Sequence, residues 1–379
     1  MSRYKDYFEK NKTTTPCLIL DISQAKKNFS NLQYLSPLAK IYYAVKANPS
    51  ANILSCFIEQ GAYFDAASIN EIKLVLSLGC EPNRICFGNI AKKTEDIQAA
   101  YDYGVQLFVA DSKEELSKIA NYAPGSKVLI RISTNGANAV VPLSFKFGCE
   151  VDTAVTLVLD SVKMGLKPHG ISFHVGSQQL NPYDWEEPIR EASFIFQEVS
   201  RHGITLPVLD LGGGFPIDYQ KEVPGIKYFI EVIDKLLETN FPSHIPEIFY
   251  EPGRFLVGKA GEIFTQVILA TDRENLKGEK RRWVYLDIGV YGGLPQASDN
   301  IIHYSFKTDR TGEMVATSLA GPTCASSDIM YKKDHFLLPC DLQSGDIVRI
   351  ENTGAYTLSR SSIGFNGFVP LQVYCIDPL

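Results

Sequence analysis

Lys46 stands directly after the apolar run IYYAV, where a charged side chain is unexpected. Burying an ammonium group without a partner is costly and favours the neutral amine. A neutral lysine amine is a nucleophile that can form a Schiff base with a carbonyl group. The alternative is a lysine whose side chain already reaches solvent at the end of its strand.

Two further motifs could bind an anion or pair charges. The run LDLGGGFP places Gly212, Gly213 and Gly214 directly after an apolar segment, so their backbone N–H groups could close around a phosphate without obstruction by a Cβ atom. In EPGR, Glu251 and Arg254 bring a carboxylate and a guanidinium close together, and arginine suits phosphate oxygens. A tight turn and a surface ion pair are the structural alternatives.

Three more side chains have suitable chemistry. His174 in SFHVGSQ could pack flat on an aromatic cofactor, and Ser177 offers a hydroxyl to a phosphate. Cys324 in AGPTCASSD lies in a polar, turn-like segment where a thiol is more accessible than in a strand. A core histidine bonded to a carbonyl group and a structural cysteine are the alternatives.

The elements that would position these residues follow a repeating strand-then-helix pattern from about residue 38 to about residue 260. Helical periodicity in segments such as SINEIKLVLSLG and KEELSKIANYA separates short apolar or β-branched runs. Those runs are KIYYAV, YFDA, RICF, QLFVA, KVLIRI, HGISFHV, PVLDL and EIFYE. Eight strands alternating with helices predict a closed, parallel (β/α)8 barrel.

The polar residues fall at the ends of these predicted strands. Asp65 and Ser68 follow YF, Arg131 lies within KVLIRI, and the other candidates occupy equivalent places. In β/α barrels the active site lies at the C-terminal ends of the strands. The distribution therefore predicts one convergent pocket.

From about residue 261 the sequence pattern changes to short β-like runs broken by Gly, Pro and Asp turns. The runs are EIFTQVILA, RRWVYLDIGVY, DIVRIENTGAY and FVPLQVYCI. They predict an antiparallel β domain, which the early run CLIL could join. We expect residues 25–260 to form the barrel and residues 1–24 and 261–379 to form the β domain.

Composition excludes several classes of function. The 379 residues carry a formal net charge of −6, which gives no basic surface for nucleic acid. The polar N-terminal residues and the lack of a long apolar run predict a cytoplasmic protein without a membrane segment. The eight cysteines form no CxxC pair, and neither an HExxH motif nor an EF-hand loop occurs, so no metal is expected.

The motifs together strongly resemble the pyridoxal-phosphate-dependent decarboxylases of the alanine-racemase fold. This family includes the ornithine, lysine and diaminopimelate decarboxylases, and the chain looks most similar to the short bacterial ornithine/lysine enzymes. The resemblance covers nearly the whole chain, in the family's order, through YYAVKANP, FDAASINEI, PLSFKFGC, ISFHVGSQ, GGGFP, EPGR, GPTC, TGAYT and FNGF. It implies a barrel with a C-terminal β domain, a polyamine-type metabolic role, and a head-to-tail homodimer with two shared active sites.

The resemblance also implies residue roles. Lys46 would hold pyridoxal 5'-phosphate as an aldimine, His174 would stack on its ring, and Glu251 would bond the pyridine nitrogen. Cys324, contributed by the partner subunit, would protonate the substrate α-carbon after CO2 leaves. Other positions resembling the cofactor site are Asp65, Glu71, Arg131, Ser177, Gly212, Gly213, Gly214, Arg254 and Tyr356.

The substrate positions depart from the family pattern. Ornithine decarboxylases have an aspartate directly after GPTC, and this chain has Ala325. Asp299, or Asn300 if the alignment shifts by one residue, is the counterpart of a second family acid, and Tyr291 of the GVYG segment is a further substrate candidate. We therefore expect an ornithine- or lysine-like substrate bound less conventionally, or a modified or conjugated amino acid. A racemase on the same fold and a non-catalytic regulator are the alternatives.

Overall fold

The computed structural model describes residues 2–136, 138–142, 146–274, 278, 280–298, 301–332 and 336–376. The chain divides into two compact units. The first unit comprises Met1–Ala25, Ile217–Glu222 and Leu256–Leu379, and the second comprises Lys26–Pro216 and Val223–Phe255. Within the described residues, no helix is both long and apolar enough to cross a membrane.

The described segments contain α-helices and β-strands that we number in chain order. The helices are α1 (Arg3–Asn11), α2 (Ile22–Leu35), α3 (Ala51–Glu59), α4 (Ile69–Ser77), α5 (Thr94–Asp102), α6 (Lys113–Tyr122), α7 (Val151–Lys163), α8 (Glu186–Arg201), α9 (Ile226–Asn240) and α10 (Arg254–Val257). The strands up to residue 250 are β1 (Cys17–Asp21), β2 (Lys40–Ala44), β3 (Tyr63–Ala66), β4 (Ile85–Phe87), β5 (Leu107–Ala110), β6 (Lys127–Arg131), β7 (Ala139–Val141), β8 (Lys167–Ser172), β9 (Ser177–Gln179), β10 (Val208–Asp210) and β11 (Glu247–Tyr250). The later strands are β12 (Gly261–Glu274), β13 (Lys280–Leu286), β14 (Phe306–Thr308), β15 (Met314–Ala320), β16 (Ile329–Met330), β17 (Phe336–Pro339), β18 (Ile347–Ile350) and β19 (Gln372–Ile376).

Eight parallel strands close into a barrel in the order β10-β11-β2-β3-β4-β5-β6-β8. Each of these strands comes from one of the eight apolar runs in the sequence, which confirms the predicted barrel. Their short lengths and buried side chains are typical of strands covered on the outside by helices.

The barrel interior is layered because alternate residues of a strand point to the same side. An apolar layer fills the interior near the strand starts, with side chains from most of the strands. It contains Tyr42, Cys86, Leu107, Val109, Leu129, Val208 and Phe249, with Tyr63 and Ile90 packed against it. Two positions beyond Leu129, Val208 and Phe249, the chain has Arg131, Asp210 and Glu251. The alternation thus places a charged layer directly above the apolar one.

Helix α4 begins with a cap that fixes the loop after β3. The Ser68 hydroxyl accepts a hydrogen bond from the Glu71 N–H, and Glu71 Oε2 accepts one from the Ala67 N–H at 2.6 Å. Such reciprocal capping satisfies donors that the helix cannot pair internally. The cap holds the loop that follows Asp65.

A buried ion pair fixes the loop after β4. The Lys92 Nζ, which is inaccessible to solvent, lies 2.9 Å from Glu115 Oε1 and donates to the carbonyl oxygens of Asn89 and Val109. Burial lowers the pKa of Lys92, and the adjacent Glu115 opposes that shift. Lys118 lies 2.6 Å from the other oxygen of the same carboxylate. The loop thus depends on a carboxylate that water does not reach.

We expect Glu115→Gln to lower the free energy of unfolding by about 3 kcal/mol, because it leaves the Lys92 ammonium buried without its carboxylate. Urea unfolding followed by circular dichroism measures the change. The control is Glu114→Gln at the neighbouring exposed position, which should change stability by less than about 0.5 kcal/mol. Equal effects of the two variants would contradict a structural role for the buried pair.

The first unit contains a nine-stranded sheet with the central order β14-β18-β12-β13-β15-β16. Strand β1, from the run CLIL, joins this sheet by pairing with β12 and β19. Most pairs are antiparallel, as expected, but β1 with β19 and β13 with β15 are parallel. The sheet is therefore mixed, because the chain crosses over between these strands instead of turning directly back.

Candidate active site

Lys46 lies in the 3₁₀ turn Val45–Ala47 that directly follows β2. Its Nζ donates to Asp65 Oδ2 at 2.7 Å, and Asp65 lies buried on the neighbouring strand β3. The Lys46 side chain remains 47% exposed, so its amine is accessible as well as paired. The expected nucleophile is therefore held in place by a buried carboxylate.

Glu251 follows β11 and shares a hydrogen bond with Asp210, the last residue of β10. Loss of hydration, reinforced by the charge on Asp65, raises the pKa of Glu251 to about 7, while Lys46 and Arg131 act in the opposite direction. The pKa of Asp210 lies well above its usual range because the residue is buried beside Glu251. Sequence reasoning missed Asp210, although it stands within the quoted run LDLGGG.

His174 is a neutral imidazole at ordinary pH. Burial, followed by the positive charges of Arg131 and Lys46, lowers its pKa to about 3. Its Nδ1 accepts a hydrogen bond from the Gly176 N–H at 3.0 Å. The ring is therefore oriented by the backbone and carries no charge.

The three glycines form a turn with little room for side chains. Gly212 and Gly214 adopt φ values of 65° and 107°, which favour glycine. A Cβ on Gly213 would lie 2.3 Å from the Glu251 carbonyl oxygen and 3.3 Å from His174 Nε2. The turn therefore brings bare backbone close to the other site residues.

We expect Gly213→Ala to lower the free energy of unfolding by about 1–3 kcal/mol, because the added methyl group must displace the backbone at Glu251. The same variant should also weaken cofactor binding, since the turn and the carboxylate move together. Urea unfolding and cofactor titration measure the two effects. Gly225→Ala is the matched control, because a Cβ there meets nothing within 4 Å.

Ser177 opens β9, which pairs with β7 in a two-stranded antiparallel ribbon. Its Oγ lies 3.5 Å from Arg254 Nη2, and Arg254 is buried at the start of α10. The structure thus brings together the two polar side chains expected near a phosphate. The ribbon itself was not predicted, because β9 has the polar sequence SQQ and lacks the apolar run that marks the barrel strands.

The first unit contains the remaining candidates. Cys324 is exposed, and its N–H donates to Asn366 Oδ1 at 2.8 Å. The Tyr291 hydroxyl is 2.6 Å from Ser327 Oγ, in the segment that also contains the partly buried Ala325.

Asp328 shapes this segment. Its carboxylate accepts hydrogen bonds from the N–H and hydroxyl of Thr323 and from the Val290 N–H. Tyr356 lies elsewhere in the unit with a φ of 57°, and Asp299 lies outside the described residues. Among the described side chains, no group of three His, Cys, Asp or Glu residues could hold a metal ion.

The barrel residues fit pyridoxal phosphate. The glycine turn, with Ser177 and Arg254, supplies donors of the kind that bind phosphate. In the charged layer, the buried carboxyl group of Glu251 is hydrogen-bonded to Asp210 and faces the cations Lys46 and Arg131. A protonated pyridine nitrogen would supply a further positive charge.

Comparison with known proteins agrees with this geometry. The family described as "Pyridoxal-dependent decarboxylase, pyridoxal binding domain" matches residues 22–258. The lysine/ornithine decarboxylase of Selenomonas ruminantium is 34% identical over 93% of this chain and 88% of its own length. Antizyme inhibitor 2 of Xenopus laevis is 32% identical over 92% of this chain and 78% of its own length.

Solved structures extend the similarity to nearly every residue. The lysine/ornithine decarboxylase of Vibrio vulnificus, complexed with cadaverine, is 30% identical with a TM-score of 0.88 and full coverage of both chains. The Paramecium bursaria Chlorella virus arginine decarboxylase, bound to agmatine, gives 30% identity and the same TM-score over 98% of this chain and 99% of its own. The chain belongs to the family of pyridoxal-dependent decarboxylases, and its cofactor is pyridoxal phosphate.

Proposed function

We propose that Lys46 carries pyridoxal phosphate and that Gly212, Gly213, Gly214, Ser177 and Arg254 hold its phosphate. The observation that carries this proposal is the position of the Lys46–Asp65 pair at the end of β2, within the same barrel end as the glycine turn. Bound there, the cofactor withdraws electrons from the substrate α-carbon and so stabilises the negative charge left when CO2 departs.

The residues around the proposed ring site have distinct tasks. Glu251 would bond the ring nitrogen and favour its protonated form, which would strengthen electron withdrawal. Asp65 holds the Lys46 amine, and Arg131 places a positive charge near Glu251. Glu71 fixes the loop after Asp65. The neutral imidazole of His174 packs against the ring without adding charge. Together these side chains would hold and orient the cofactor.

We propose that Cys324 donates the proton that replaces CO2 on the substrate, and that Tyr356 supports the phosphate. The exposed thiol and its backbone bond to Asn366 support the first assignment, since the group is both accessible and held. Cys324→Ser should lower the fidelity of protonation while leaving cofactor binding intact. An unchanged product ratio would contradict this role.

We further propose a cytoplasmic homodimer whose subunits share their active sites. Apolar side chains are exposed around the FNGF segment, with Val369 at 77% and Ile363 at 85% exposure beside Phe365 and Phe368. A second copy of the chain would cover them, because apolar surface favours burial. Sedimentation should show a dimer that Val369→Asp weakens; an active monomer would contradict the proposal. The absence of disulfides among the eight cysteines supports a reducing compartment.

The substrate is an amino acid, and we propose an L-amino acid with an altered distal group, either ornithine- or lysine-like or conjugated. Ala325 offers a methyl group to a distal ammonium, and the nearby Asp328 carboxylate is buried and already bonded to Thr323 and Val290. Losing such a charge-assisted contact costs about 1.5–3 kcal/mol. A substrate panel assayed for CO2 release tests this; full activity on plain ornithine or lysine would exclude a conjugated substrate.

A regulator that binds a protein partner is the second candidate, because one relative is named an antizyme inhibitor. The presence of Lys46, Glu251, Arg254 and Cys324 in one chain supports the enzyme instead. A purified protein that stays colourless with added cofactor would favour the regulator. A racemase would convert enantiomers without releasing CO2, which the same panel detects.

A further inference from the structure

Asp210 and Glu251 bring two carboxyl groups into hydrogen-bonding contact inside the barrel. Two carboxylates cannot hydrogen-bond each other when both are ionised, because neither has a proton to donate. Two negative charges in hydrogen-bonding contact also repel each other strongly where water is scarce. One of the two groups therefore carries a proton.

The surroundings determine which group is neutral. Glu251 faces the cations Lys46, which follows β2, and Arg131 on β6, and both favour its ionised form. Asp210 is 2% exposed, and the charged neighbours that act on it are the carboxyl groups of Glu251 and Asp65. Cys86 on β4 and Tyr42 on β2 also face Asp210, and neither supplies a positive charge. The negative charge therefore belongs on Glu251 and the proton on Asp210.

The backbone fixes the direction of the bond. The Gly212 N–H donates to Asp210 Oδ1 at 2.9 Å, so that oxygen acts as an acceptor. Asp210 Oδ2 is then the oxygen left to carry the proton. The backbone N–H of Glu251 in turn donates to the Gly212 carbonyl oxygen at 2.8 Å, so both residues are bonded to the same glycine.

We propose that Asp210 is a positioning residue that stays protonated and donates a hydrogen bond to Glu251, keeping Glu251 ionised and aimed at the ring nitrogen of the cofactor. This inference rests on the proposed binding of the ring nitrogen by Glu251. Asp210 would act through Glu251 and not on the reacting atoms themselves. In this position a neutral carboxyl group, like a side-chain amide, provides both a hydrogen-bond donor and an acceptor.

Replacing Asp210 by asparagine or by alanine distinguishes a neutral acid from an anion at this position. Asp210→Asn retains a donor for Glu251 and an acceptor for Gly212, so its cofactor affinity and kcat should stay within about threefold of wild type. Asp210→Ala loses the donor, and cofactor affinity should fall by about 10- to 100-fold, with a shifted pH profile. If Asp210→Asn is as damaged as Asp210→Ala, Asp210 acts as an anion and the proposal is wrong.

A spectroscopic measurement separates this inference from the proposed function. The infrared spectrum of the wild-type holoenzyme, minus that of the Asp210→Asn holoenzyme, should show the stretching band of a protonated carboxyl group. A spectrum without that band overturns the protonated state of Asp210, whatever the activity. Failure of the wild-type protein to develop cofactor absorbance would instead overturn the proposed function. The two failures are therefore distinguishable.

Discussion

Lys46→Ala should lower kcat/KM by about 10⁴-fold or more and abolish the visible absorbance of the bound cofactor. The Lys46 amine is the exposed member of its pair with Asp65, and no other lysine extends from the end of β2. Without that amine the cofactor has no covalent attachment at this position. Activity assays and absorbance spectra of the purified protein measure both losses.

Lys46→Arg separates loss of the amine from loss of the charge. The guanidinium keeps a cation beside the buried Asp65 but stays protonated, so it cannot act as a nucleophile. We expect a folded, inactive protein. Lys40→Ala, at the opposite end of β2, removes an ion pair with Glu247 and should leave the cofactor spectrum unchanged. Retention of absorbance and activity by both Lys46 variants would refute the assigned lysine.

Glu251→Gln should lower kcat by about 10²–10³-fold, because the amide cannot stabilise a protonated ring nitrogen as a carboxylate does. The substrate and phosphate contacts remain, so KM should change less than kcat. Steady-state kinetics with the cofactor at saturation measure the two separately. A large rise in KM with normal kcat would place Glu251 in substrate binding instead.

The same variant should stabilise the cofactor-free protein above pH 7. The pKa of Glu251 in the cofactor-free folded state is about 7, against a usual value of 4.5, so between these pH values the carboxyl pair binds a second proton, besides the one on Asp210, that the unfolded chain releases. Its contribution to stability is complete below pH 4.5 and is lost as the pH rises to 7. Glutamine has no such dependence, and the difference should reach up to about 3 kcal/mol. Urea unfolding at pH 4.5 and pH 8 tests the sign.

Much of the barrel could be predicted from the sequence because its strands are continuous apolar runs that end in polar residues. Lys46 and Glu251 stood out for that reason. Asp210 did not, since an aspartate before three glycines is typical of an ordinary turn, and its significance comes from Glu251 on the neighbouring strand. The Lys92–Glu115 pair was not predicted either, because charged residues on a helix predict an exposed face. Contacts between distant segments carry no local signal.

The apolar layer of the barrel limits how substrate and products reach and leave the site. Its side chains come from six of the eight strands, with Tyr63 of a seventh packed against them, and they fill the interior below the charged residues. We therefore expect the amino acid, CO2 and the amine product to enter and leave through the same end of the barrel. A product amine that remains blocks the next amino acid from entering. Product inhibition should accordingly be competitive with the substrate.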